Sequence, residues 1–255
     1  MAKILSFHSF RRGTGKTNIT ANVASLFALQ GKRVGVIDTS MQAPAMHILF
    51  GLDESKIKHS LNDYLWGRCK LEQTVQDVTT HLQPGLELAG QVFLVPASSR
   101  LGDITQVLRH GFEISDLNES FSQLITMLDL DILFIDTYAG LTETTLLSIA
   151  VSDATFVILR LDEQSYHGTG IMVDLAREFN IAKIGLILNE VPQFFNIVEV
   201  KAQVEQTYKC KIAAVFPYTP ELMALSSTSI FALQFPTHPL TQMFEELVRL
   251  LAHEM

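Results

Sequence analysis

Seven short runs of nearly uninterrupted apolar residues constrain the fold more than any other feature of the chain. They are KILSFHS (3–9), RVGVID (33–38), VFLVPAS (92–98), DILFID (131–136), ATFVILR (154–160), IGLILNE (184–190) and IAAVFP (212–217). A strand with one wet face alternates apolar and polar residues. These runs do not alternate, so each needs cover on both faces, as in a buried parallel sheet. Parallel neighbours need crossover helices, and the intervening segments are long enough to supply them. TNITANVASLFALQG places Ile19, Val23, Leu26 and Phe27 at helical spacing and ends at Gly31. Further helical stretches fall around 102–109 and 115–129. The expectation is an α/β chain with a single doubly wound, mostly parallel sheet flanked by helices on both faces. A chain of 255 residues, 47% hydrophobic and 18% charged, is ample for such a core.

Residues 51–90 are more polar and read as helices and loops inserted after the second strand. HPLTQMFEELVRLLAHEM reads as an amphipathic helix with Leu240, Met243, Phe244, Leu247, Leu250 and Leu251 on one side. That stripe is expected to dock on the core. A membrane-targeting helix would carry Lys and Arg on its polar face, whereas this one carries Glu245, Glu246 and Glu254 against Arg249. Nineteen basic and 27 acidic residues give a net charge of −8. With no basic run, strong binding to DNA or to a membrane is not expected. The opening MAKILSFHSF is too short and too little charged for a signal peptide, and no stretch approaches bilayer-spanning length. Cys69 and Cys210 show no metal spacing and suit a reducing compartment, so a cytoplasmic location is expected. His8, closing the first strand, reads as structural. Phe194 and Phe195 read either as an exposed partner patch or as core against a helix.

Chemistry concentrates in SFRRGTGKTN (9–18). Binding phosphate takes backbone N–H groups around a concavity, a lysine for the outer phosphates and a Ser or Thr hydroxyl for Mg²⁺. Gly13, Gly15, Lys16 and Thr17 supply these between a strand and a helix. The strict pattern G-x-x-x-x-G-K-[ST] fails at its first glycine, where Phe10 stands. Asp136, ending its apolar strand, reads as a metal-side carboxylate, with a helix cap as the plainer alternative.

With these motifs in order, the chain resembles the deviant-Walker ATPases of the MinD/ParA type over essentially its whole length. That family's K-G-G-x-G-K-T is matched by Arg11-Arg12-Gly13-Thr14-Gly15-Lys16-Thr17. Its D-x-D is matched by Asp38-Thr39-Ser40. Its loop after the Walker B strand is matched by LFIDTYAGLTETTL, with Asp136 and Gly140 kept and Tyr138 in place of proline. LILNEVP resembles the family strand whose asparagine, here Asn189, bonds the adenine. FPYTPELMAL, beginning at Phe216 and Pro217, resembles the segment that closes over the base. The resemblance implies one P-loop NTPase domain over 1–255 that binds ATP and Mg²⁺. Arg12, Gly13, Thr14, Gly15, Lys16, Thr17, Asn18, Asn189 and Pro217 would hold the nucleotide. Thr17, Asp38 and Asp136 would lie on the metal side, and Lys16, Asp38 and Arg11 would serve catalysis. It further implies an ATP-dependent homodimer and a protein partner, in a family that positions division machinery, plasmids, chromosomes, flagella or other cargo.

Three departures bear on activity. Arg11 replaces the signature lysine with a planar fork. Arg12 replaces a glycine where the family's two loops approach each other. Ser40 replaces the aspartate associated with water activation, and an unaided serine is a poor base. Solvated surface charge is the plainer reading of both arginines, and a turn residue that of Asn189. Binding is expected to outlast hydrolysis. Three alternatives remain: a nucleotide-dependent scaffold without turnover, a carrier relative, for which the lone cysteines are unsuited, and a P-loop small-molecule ligase.

Overall fold

A computed structural model describes residues 2–82 and 89–254. The strands are β1 (Lys3–His8), β2 (Arg33–Asp38), β3 (Gln76–Asp77), β4 (Gln91–Val95), β5 (Ile132–Asp136), β6 (Ala154–Leu159), β7 (Lys183–Val191) and β8 (Lys211–Pro217). The helices are α1 (Lys16–Leu29), α2 (Met46–Leu49), α3 (Leu61–Leu65), α4 (Leu101–His110), α5 (Ile114–Leu128), α6 (Glu143–Ala150), α7 (Glu163–Glu178), α8 (Ile197–Tyr208), α9 (Pro220–Ala224), α10 (Phe231–Gln234) and α11 (Pro239–Glu254). They build one eight-stranded sheet in the order β3-β4-β2-β5-β1-β6-β7-β8. Every pairing is parallel except that of β3 with β4 at one edge.

Each expected strand is present, and its lack of alternation has the expected cause. Along β6, Phe156 and Ile158 join the cluster with α1 and α11, while Val157 and Leu159 join the cluster with α7 and α8. A period of two thus buries both faces. The α11 stripe docks as expected, through Leu240, Phe244, Leu247 and Leu251, with Phe244 against Phe216 at 4.5 Å between ring centroids. Two details differ: Leu250 points outward and Val248 inward. The side chain of Glu254 and residues 83–88 lie outside the described residues. Within the rest of 51–90 the structure has short helical turns and the two-residue β3, an edge strand that the sequence reading omitted. VFLVPAS was expected to run to 98. β4 ends at Val95, because Pro96 has no N–H to give a ladder. Among the described residues no helix is long and apolar enough to cross a membrane.

The chemistry-bearing residues collect at one end of the sheet. β1 leads into the glycine loop, and β2 and β5 end side by side with Asp38 in register with Asp136. Crevices at the carboxyl ends of such sheets are where this architecture binds ligands.

Candidate functional site

The loop between β1 and α1 turns on two left-handed glycines, Gly13 at φ 75° and Gly15 at φ 84°. Gly15 is also the residue before the first turn of α1, and no side chain caps that turn. Its N–H groups are left for a ligand, where the helix dipole favours an anion. A Cβ on Gly15 would collide with the Asn189 amide. That amide donates to the Thr14 carbonyl at 2.7 Å, pinning the loop against β7. Phe10, at the position of the missing first glycine, packs against Gly168 of α7 so closely that a Cβ there would overlap its ring. The loop therefore enters from an apolar anchor.

Asp136 is the electrostatic centre. Fully buried at the end of β5, it accepts from Lys16 Nζ at 3.0 Å and from Thr17 Oγ1 at 2.9 Å. Lys16 is itself only 8% exposed, so this is a desolvated pair and each partner needs the other. Asp38, equally buried, accepts from the backbone N–H of Ser40 at 2.9 Å and from those of Ala45 and Met46 at 3.3 Å. Burial, and next the charge of Asp136, push its carboxyl up to about 6. The Ser40 hydroxyl donates to the Thr137 carbonyl at 3.1 Å.

A cavity of about 430 Å³ opens over this constellation. Arg11, Arg12, Gly13, Lys16, Thr17, Asn18, Ser40 and Tyr138 all line it. A second cavity of about 110 Å³ continues from it past Gly15, Asn18 and Asn189 to Leu222, Met223 and Phe244. The combined size suits a nucleotide-sized ligand. Arg11 bonds Asp162 at 2.9 Å, and Asp162 also caps α7 through Ser165 N. The Arg12 guanidinium lies over the Tyr138 ring, 4.6 Å from its centroid.

The loop residues and Asn189 are thus brought to the lining of one cleft, Asp38 and Asp136 are buried beneath it, and one residue singled out in the sequence stands apart. Pro217 ends β8 in register with Val191 and lines neither cavity. From that stretch the lining comes from Leu222, Met223, Ser226 and Ser227. The two serines take positive φ, 49° and 58°, a conformation that SSTS does not announce. Glu190 (φ 54°), at an irregularity between β7 and β8, also lines the cleft and was not foreseen. Asp162 was missed too, although Asp-x-x-Ser before a helix is a capping signal. Phe194 is 83% exposed and Phe195 39%, so both lie outside the core. Cys69 and Cys210 are unpaired thiols.

A glycine cradle at an uncapped helix start, a buried lysine–aspartate pair and a helix-borne threonine hydroxyl define a P-loop protein. A family model described as an AAA domain matches residues 2–186. The chain belongs to that family and is a P-loop ATPase of the MinD/ParA type. An uncharacterized ATP-binding protein of Methanocaldococcus jannaschii is 25% identical over 97% of this chain and 86% of its own. The flagellum site-determining protein YlxH of Helicobacter pylori is 26% identical over 75% of this chain. Only 59% of that relative's length is spanned. Among solved structures, the septum site-determining protein MinD of Pyrococcus horikoshii, complexed with Mg-ADP, has the same fold. Its TM-score is 0.80 at 20% identity, over 98% of this chain and 96% of that one.

Proposed function

We propose that the chain is an ATP-binding switch protein that acts as one unit over residues 1–255, pairs with a second copy when loaded with ATP and regulates or positions a protein partner. The observation that carries this is the buried Asp136, which holds both the loop lysine and the helix threonine. Lys16 is held in place for outer phosphates, and Thr17 is kept with its oxygen beside a carboxylate. The donor set fits Mg²⁺. Thr17, Asp136 and Asp38 offer hard oxygens, and among the described residues no group of three or more His, Cys, Asp or Glu could hold a metal unaided. Magnesium characteristically takes one or two carboxylates and completes its shell with phosphate and water. Bound there, it would neutralise charge on the phosphates.

The chain's own residues then have separable tasks. Gly13 to Thr17 give N–H groups to the phosphates, and Lys16 neutralises them. Asn189 holds the loop to β7 and borders the second cavity, which would receive the base. Asp38 serves the metal side, and Arg11 stands at the position of the family's signature lysine.

Slow turnover is part of the proposal. Hydrolysis needs an oriented water besides charge relief. Ser40 brings a hydroxyl already engaged with Thr137 O, and that engagement favours a long-lived ATP state. The same observation supports the second reading, a scaffold that binds nucleotide without hydrolysing it. Site-determining and cell-division relatives support a positioning role. The net charge of −8 and the docked α11 support a protein partner over DNA or a membrane. Equilibrium titration with Mg-ATP tests the site: Lys16→Ala should abolish binding. Wild-type affinity in that variant would place the nucleotide elsewhere.

A further inference from the structure

Three cations line the larger cavity at the phosphate loop, and their partners differ. Lys16 is paired with Asp136 and Arg11 with Asp162. Arg12 has no ion pair or hydrogen bond among the described residues, only the face of Tyr138. Tyr138 stands two residues beyond Asp136, and both departures from the family pattern at this place, Arg12 for glycine and Tyr138 for proline, touch each other. The pair therefore has a geometry of its own. From it, and resting on the nucleotide reading above, we infer that Arg12 is the cation that distinguishes ATP from ADP in this site, and that the Tyr138 ring is its berth when no terminal phosphate is present.

Three physical points support the assignment. A terminal phosphate brings negative charge that ADP lacks, and Arg12 is the loop cation whose charge no carboxylate already balances. Its guanidinium is a planar fork that meets phosphate with two parallel hydrogen bonds, which lysine cannot do. An exposed cation–ring contact is weaker than charge-assisted hydrogen bonds to phosphate. The arginine therefore leaves the ring when the phosphate arrives and returns when it goes. Departure frees the Tyr138 ring, which sits on the segment after β5 that also meets the phosphate loop through Gly140 N–H to Ser9 O. The stack thus ties the loop after β5 to the identity of the nucleotide. It also gives a long side chain a place to lie where the family keeps a glycine.

Calorimetric titration with Mg-AMPPNP and with Mg-ADP tests this in wild type, Arg12→Gln, Arg12→Lys and Tyr138→Leu, with Lys16→Ala as the control for the site. Arg12→Gln should cut the preference for AMPPNP over ADP about tenfold, mostly through AMPPNP. Arg12→Lys should restore part of it, because the charge returns without the fork. Tyr138→Leu should raise the preference two- to fivefold, roughly the strength of the lost exposed stack. An unchanged preference in Arg12→Gln, or equal losses for both nucleotides, would overturn the inference, and so would a fall in Tyr138→Leu. If Lys16→Ala abolishes binding while Arg12→Gln keeps the wild-type preference, this inference alone fails. If Lys16→Ala binds normally, the nucleotide reading fails and takes this one with it.

Discussion

At the scale of single residues, two buried titratable groups near the site give opposite pH signatures. Asp38 ionises near pH 6 in the folded chain and near the ordinary carboxylate value when unfolded. Ionised Asp38 therefore costs stability above about pH 6, by about 3 kcal/mol at most. The cost shrinks as pH falls and disappears below about pH 4. Asp38→Asn should gain stability relative to the unsubstituted nucleotide-free protein between pH 4 and pH 8, on top of a pH-independent loss where its NH2 replaces an acceptor of backbone N–H groups, read by urea unfolding in the presence of chelator. His8 moves the other way. Burial, and next the charge of Lys16, pull it down to about 3. Its ring Nδ1 lies 2.7 Å from Thr137 Oγ1, which itself donates to Phe7 O. Nδ1 therefore carries the proton, and Nε2 is buried without a partner. Folding must keep this ring neutral, so stability is lost as pH drops from about 6.5 toward 3. His8→Gln should flatten that acid limb, and an unchanged limb would assign it to other groups. Ser40 carries the kinetic expectation. Ser40→Asp should raise ATP turnover about tenfold or more if one missing group limits the rate. Equal rates in the two proteins would show that other residues orient the water.

At the scale of elements, the strands were legible because burial on both faces writes itself as continuous apolar sequence. β3 was not, since Gln76 and Asp77 carry no apolar signal and pair only as an antiparallel edge. The glycine loop was legible from GTGKT, but its anchoring was not. Phe10 looked like damage to a motif, and only the fold shows the space that receives it, above Gly168. That glycine, with Gly170, interrupts the helical pattern of α7, so the helix was hard to see for the same reason that the ring fits. Gly168→Ala should overpack the contact and cost about 1–3 kcal/mol despite alanine's better helix propensity. Adding Phe10→Ala should then make Gly168→Ala neutral or favourable, as a double-mutant cycle by thermal unfolding would show. Additive losses would mean that ring and glycine do not meet. Asp162, which pairs with Arg11, and the turn at Ser226–Ser227, which lines the cleft, stayed hidden because they meet the loop from segments far along the chain, and no local pattern encodes that approach.

For the whole molecule, the central claim is that ATP, once bound, is held long enough to keep two copies together. The sheet delivers Asp38, Asp136 and the phosphate loop to one end. The exposed arginines of the loop stand at the mouth of the same cleft. Family membership rests on residues 2–186, but the second cavity is finished by the stretch beyond, at Leu222, Met223 and Phe244. Both parts therefore border the cleft. The most direct measurement is molar mass by light scattering over time, with Mg-ATP, with Mg-ADP and without nucleotide. One copy is expected without nucleotide or with ADP, and a doubled mass with ATP that persists for many minutes and is absent in Lys16→Ala. A single copy under all three conditions, while ATP is demonstrably bound, would contradict it.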